Sequence, residues 1–222
     1  TIIMSDPTLS SKIKMSVLSC CNQIAGLNAL ILVAIVFASP ADLRLADAVK
    51  SGNQKEIAAL LRAKVDVNAT QPGGSTALAW AAERADNETA TRLLAAGAKP
   101  DLANDYGESP LTLACPNSDT ALVKRLLADG ASAKAARWDG ETALMICASK
   151  GNVDAVNLLL AKGADAAAID KDKGQNALMW AAAQGHTAIV KALAAHGADV
   201  NVASKGGFTP VMFAAEKGYA DT

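Results

Sequence analysis

Few residues in this chain of 222 have the type and spacing that chemistry needs. It has two histidines, His186 and His196, and four cysteines, Cys20, Cys21, Cys115 and Cys147. No cluster of carboxylates or cysteines joins either histidine, so no metal site is expected. His196 lies near the end of a helical segment, where a cation suits the helix dipole. Paired carboxylates such as Asp139 and Glu141 could serve as acid and base, but they fall in a turn, where water solvates both. There is no Gly-x-Ser-x-Gly, no phosphate loop and no His-Glu-x-x-His. The expectation is a chain with no catalytic site, no cofactor and no metal. Cys115 and Cys147 replace alanines in adjacent short helices. Neighbouring helices pack about 8–10 Å apart, whereas a disulfide wants Cα atoms within about 7 Å. Two small buried thiols are therefore expected.

Composition narrows the class further. Lys and Arg number 21 against 22 Asp and Glu, a net charge of −1, which argues against a nucleic-acid partner. Hydrophobic residues make up 51 % and charged residues 19 %, so the chain is not a disordered one. Aromatics are only 4 %, and alanine supplies much of the apolar count. Such small side chains let helices approach closely.

The N-terminal end reads as a leader. Residue 1 is Thr, so Met4 and Met15 are the candidate starts. Residues 24–38 carry no charge. This stretch is short for a membrane span, which needs roughly 20 apolar residues, and it suits an export-signal core of about 7–15. Lys12 and Lys14 precede it, and Val36 and Ala38 offer the small residues that a signal peptidase reads. A cleaved export signal is the first expectation and an uncleaved N-terminal anchor the second. In both, the positive flank stays inside and the rest crosses. Cys20 precedes the apolar run, the wrong side for a lipidated cysteine. We divide the chain into a leader, 1–41, and a second region, 42–222.

That second region is periodic. Gly74, Gly107, Gly140, Gly174 and Gly207 recur at 33, 33, 34 and 33 residues. Gly97, Gly130, Gly163 and Gly197 keep the same period, with Lys64 in the same place one unit earlier. The extra residue falls within 170–173 and must be absorbed in a loop. A fixed period of this size means stacked units, none of which can bury its apolar stripe alone. In one unit, Thr142 stands where an N-cap hydroxyl is wanted and Gly151 where a left-handed C-cap is wanted. Val156, Leu159 and Leu160 mark a second helix that stops at Gly163, and a short polar turn or hairpin follows. Two side-chain columns are expected in the core: Trp80, Leu113, Ile146, Trp180 and Phe213, and Met145, Met179 and Met212.

These residues resemble the ankyrin repeat. Thr209-Pro210-Val211, Ser109-Pro110-Leu111, the run from Gly185 to Val190 and Gly197-Ala198-Asp199-Val200-Asn201 match the family pattern closely, and the likeness covers 43–222. The family's first-helix histidine is replaced by Ala79, Thr112, Met145, Met179 and Met212, a departure that bears on loop rigidity. The resemblance implies an all-α solenoid of stacked helix-turn-helix units with short hairpin loops. We place an N-terminal unit at 43–69, full units at 70–103, 104–136, 137–170 and 171–203, and a partial unit at 204–222. The protein is expected to continue beyond Thr222.

The resemblance also implies a non-catalytic module that binds another protein as a monomer, through turn tips and the adjoining first-helix surface. Carried over, the tip positions are Asp105, Tyr106, Glu108, Trp138, Asp139, Glu141, Asp172, Lys173, Gln175, Lys205 and Phe208. The helix positions are Glu83, Arg84, Asn117, Lys150, Gln184 and Lys217. With the leader, this reads as an exported protein, periplasmic or secreted, of bacterial character. The alternative is an accessory region of an enzyme whose catalytic domain lies past Thr222. Tyr106 and Trp138 stand out, because a turn tip has no core within reach to bury a large ring. Either they meet a partner, or each folds onto its own hairpin and stiffens it.

Overall fold

The structure, a computed structural model, describes residues 42–222. The leader readings, including Cys20 and the apolar run 24–38, lie outside the described residues. Eleven α-helices and a 3-10 turn follow in order: α1 (Arg44–Ser51), α2 (Gln54–Arg62), α3 (Ala77–Glu83), α4 (Asn87–Ala95), α5 (Pro110–Ala114), the 3-10 turn Cys115–Asn117, α6 (Thr120–Ala128), α7 (Ala143–Ser149), α8 (Val153–Ala161), α9 (Ala177–Ala183), α10 (Thr187–Ala195) and α11 (Pro210–Glu216). Odd-numbered helices stack on one another in one layer and even-numbered helices in a second. Among the described residues there is no strand, only two isolated bridges, Ala136 to Thr142 and Ile169 to Asn176.

Local chemistry sets the ends of these helices. First helices α3, α5, α7 and α9 start behind side-chain caps, in which Thr76, Ser109, Thr142 and Asn176 accept the backbone N–H three residues on. The second helices α2, α4, α6 and α8 are capped alike by Asn53, Asp86, Asp119 and Asn152. Such a cap satisfies a backbone donor that the helix itself leaves open. Each short helix still depends on its neighbours, because five to nine residues are too few to hold a helix alone. Alanines wholly or nearly buried on the first helices (Ala77, Ala81, Ala114, Ala143, Ala177 and Ala181) let those helices close in. Leu78, Leu111, Leu144 and Leu178 fill the same place in successive units, each 0–1 % exposed.

The caps carry a pH dependence. Burial pushes the Asp86 carboxyl up, but the Thr89 N–H and hydroxyl and the Gln54 amide outweigh it and hold it below the usual carboxylate value. A carboxyl depressed on folding contributes stability above its unfolded value, about 3.9, and loses it as pH falls through the lower folded value. Asp86→Asn keeps an acceptor at the cap without titrating there. On acidification below about pH 4, the variant is expected to lose less stability than the parent chain, read as the shift of the urea midpoint with pH.

The hinge from first to second helix needs left-handed backbone in every unit. Gly52, Gly151, Gly185 and Gly218 supply it, but Ala85 and Ser118 hold the same place at φ +54° and +55°. The glycine landmark ending the second helix has the same exception, Lys64 at φ +54°. A Cβ is disfavoured in this region. Ala85→Gly is therefore expected to stabilise the chain by about 0.5–1 kcal/mol, visible as a higher denaturation midpoint, whereas Gly218→Ala should lower it.

Three expectations change against the structure. Cys115 and Cys147 are joined in a disulfide, with Cα atoms 4.8 Å apart, not left as two thiols. Interaxial distance misleads here, because Cα atoms ride on cylinders of about 2.3 Å radius. Two residues at the point of closest approach are nearer than the axes by about twice that, and alanine-lined helices permit the approach. Second, of the column Trp80, Leu113, Ile146, Trp180 and Phe213 only Ile146 is buried; the others are half-buried, Trp80, Leu113 and Trp180 packing against the core. Third, Met145 and Met179 are buried but Met212 is 50 % exposed, because α11 packs against only one first helix, α9.

Candidate functional site: the hairpin tips

Between successive units the chain turns through hairpins at 71–75, 104–108, 137–141, 170–175 and 204–208. In each, the first residue donates its N–H to the carbonyl of the last: Gln71 to Ser75, Asn104 to Glu108, Arg137 to Glu141, Asp170 to Gln175 and Ser204 to Phe208. The extra residue of the repeat sits in the fourth, which is six residues long. Each tip is also tied to the one before it. Asp105 donates to Gly73 at 2.9 Å, Trp138 to Tyr106 at 3.0 Å, Lys171 to Asp139 at 2.7 Å and Lys205 to Lys173 at 2.8 Å. The tips thus form one hydrogen-bonded row, which restrains the loops without the family's histidine.

Close approach is what makes the row possible. Gly107 has φ +76°, and a Cβ there would stand 2.8 Å from the backbone nitrogen of Trp138. Only glycine both adopts this conformation and clears that contact. Tyr106 and Trp138, on neighbouring tips joined by their backbones, are each 63 % exposed. Neither ring is folded into its hairpin.

Charge at the tips is partly spent inside the protein. Arg137 bridges Glu108 at 3.1 Å and Glu141 at 2.9 Å, so these two carboxylates are half-buried and paired. The Lys171 ammonium donates to the Trp138 carbonyl at 2.7 Å, and that of Lys205 to the Lys171 carbonyl. Asp139 accepts from the Glu141 N–H. Asp105, Asp172 and Lys173 are exposed and in no ion pair among the described residues. Gln175 is half-buried and Phe208 is 47 % exposed, its ring 5.7 Å from that of Phe213. Phe208, Phe213, Lys173 and Lys205 border an open cleft of about 490 Å³ between the last two hairpins.

The helix-side positions divide in the same way. Glu83, Lys150, Gln184 and Lys217 are exposed. Arg84 and Asn117 are exposed too but bind backbone, Arg84 donating to the Lys50 carbonyl at 3.2 Å and Asn117 to the Glu83 carbonyl at 2.9 Å. They close the open carbonyl ends of the preceding first helices. Arg137 is the residue that sequence reading passed over. Its signal was a lone arginine at a position otherwise held by Gln71, Asn104, Asp170 and Ser204, with a glutamate four residues on and another one unit back. Trp80 and Trp180 differ likewise. The Trp80 indole donates to Gln71 at 2.7 Å under the Lys50 ammonium, whereas the buried Trp180 N–H has no partner among the described residues.

Stacked two-helix units with a row of hairpin tips are the architecture that the repeat pattern implied, and the family comparison agrees. A family model described as "Ankyrin repeats (3 copies)" matches residues 45–136, 78–170 and 165–222. The chain belongs to the ankyrin-repeat family. It is an all-α ankyrin solenoid over the described residues, and ankyrin repeats are protein-interaction modules. No curated protein matches the chain.

Proposed function

We propose that this ankyrin solenoid is a non-catalytic recognition module that works outside the cytoplasm and grips another protein at its hairpin tips, centred on Tyr106 and Trp138. The observation that carries the reading is two large rings, each 63 % exposed, on neighbouring tips whose backbones are joined by the Trp138 N–H to Tyr106 carbonyl bond. Tyr and Trp are over-represented among hot-spot residues. With Glu108 and Glu141 engaged by Arg137, the acid near this pair is Asp105 and Asp139, and the open cation further along is Lys173. The partner then presents an apolar pocket, basic groups near the first of these tips and an acidic group near hairpin 170–175. Placement outside the cytoplasm is supported by the apolar run 24–38 behind Lys12 and Lys14. The Cys115–Cys147 bond supports it too, since disulfides persist in oxidising compartments.

A photo-crosslinking residue placed at 106 or at 138 is expected to capture a defined protein from the extracytoplasmic fraction. The same residue at exposed Ala96, on the second-helix side, should not. Capture at 96 alone would move the interface to the opposite face. N-terminal sequencing of a C-terminally tagged chain tests export; an intact Met4 or Met15 on cytosolic protein would defeat it.

A further inference from the structure

The unit 104–136 has the weakest first helix in the array. α5 spans five residues, against seven in α3, α7, α9 and α11. Pro116 ends it. Proline has no N–H to donate, and its ring crowds the carbonyl four residues back, that of Thr112. The matching positions hold Glu83, Ser149, Ala183 and Glu216, each the last residue of a regular helix. The chain tightens instead into the 3-10 turn Cys115–Asn117, and Ser118 takes the left-handed backbone without being glycine. The disulfide starts at Cys115, directly at this break, and ends in α7 of the next unit. Both cysteines are fully buried. Their equivalents one unit away are alanines: Ala82 and Ala148 for Cys115, Ala114 and Ala181 for Cys147.

We propose that the Cys115–Cys147 bond is a redox-dependent clamp that compensates for the Pro116 break. On its reduction the internal unit 104–136 becomes the place where the array opens. Each unit of a solenoid is held mainly by its neighbours. Opening this one while the next stays folded requires α5 to leave α7, and the bond forbids that. A dithiol reductant would remove the constraint. Its thiolate attacks one sulfur, giving a mixed disulfide and releasing the other cysteine as thiolate. Its second thiolate then displaces the remaining cysteine and leaves as a cyclic disulfide. Two electrons pass to the protein, and the protons of the dithiol end on the two cysteines. Because both sulfurs are buried, attack waits on this unit and the next opening together, the motion the bond still allows, so the clamp resists reduction while the array is intact. Its release frees the Tyr106 tip from Trp138, although the clamp itself does not depend on what those rings bind.

Hydrogen exchange on the full chain tests this. In Cys115→Ala/Cys147→Ala, and in the chain reduced with dithiothreitol, amides of 111–127 are expected to exchange about 100-fold faster or more than in the oxidised chain, the scale of one loop closure lost. Adding Pro116→Ala to the cysteine-free chain is expected to recover most of that protection. Unchanged exchange at 111–127 after loss of the bond would overturn the proposal, as would a proline replacement that recovers nothing. If the cysteine-free chain fails to fold, Pro116→Ala must restore folding in that background, and its failure to do so overturns the clamp.

Discussion

Leu144→Ala is expected to lower the unfolding free energy by about 3–5 kcal/mol, the upper part of the range for a buried leucine. Leu144 is 1 % exposed on α7, in the middle of the stack, with α9 packed on one side and the turn following α5 on the other. Truncation removes its own apolar burial and leaves a hole between two interfaces that the disulfide and the tip row prevent from collapsing. A folded domain has only about 5–15 kcal/mol in total, so this one change removes a large part of it. For a domain of this size the melting temperature should fall by roughly 10 °C. Met212→Ala is the companion measurement. That side chain is 50 % exposed on α11, so its truncation should cost less than about 1 kcal/mol. Equal losses at both sites would mean that stability does not reside in the stacked interfaces.

Trp138→Ala is expected to weaken partner binding about 30-fold or more, equivalent to the ~2 kcal/mol that defines a hot spot. The melting temperature should move by no more than about 2 °C, since a ring that is 63 % exposed contributes little to the core. The backbone bond from residue 138 to the Tyr106 carbonyl survives the change, because it uses no side-chain atom. The loss should therefore be in binding and chiefly in dissociation rate. A melting temperature that drops while affinity holds would assign the ring to stiffening the hairpins and remove it from the interface.

Much of the fold was legible before any coordinates. Glycine at a 33-residue period, the cap hydroxyl at Thr142, and leucines at helical spacing are local signals. Each acts within one turn of backbone, so residue type alone reveals it. The place of Tyr106 and Trp138 at hairpin tips was legible for a related reason, since the turn is set by residues within one hairpin whatever the neighbouring unit does. Both alternatives for the rings remained open in the sequence, and the structure places them outside their hairpins.

Contacts between units were not legible, because they depend on the offset at which one repeat lies on the next. The tip bonds join residues 32 apart, one short of the period, and the disulfide has the same offset. Counting along a column pairs Cys115 with Ala148 and Trp138 with Asp105, and so misses both contacts. Arg137 shows the same limit: one glutamate four residues on is visible in the sequence, but the second, Glu108, comes within reach only when the hairpins stack. The sequence alone therefore determined the repeat, its helices and which residues stand at its tips, because these follow from local backbone preferences. The tertiary structure decided which tip charges are spent internally, that Cys115 meets Cys147, and how far the first helices close on one another, because the alanine-lined faces set the distance across which those groups act.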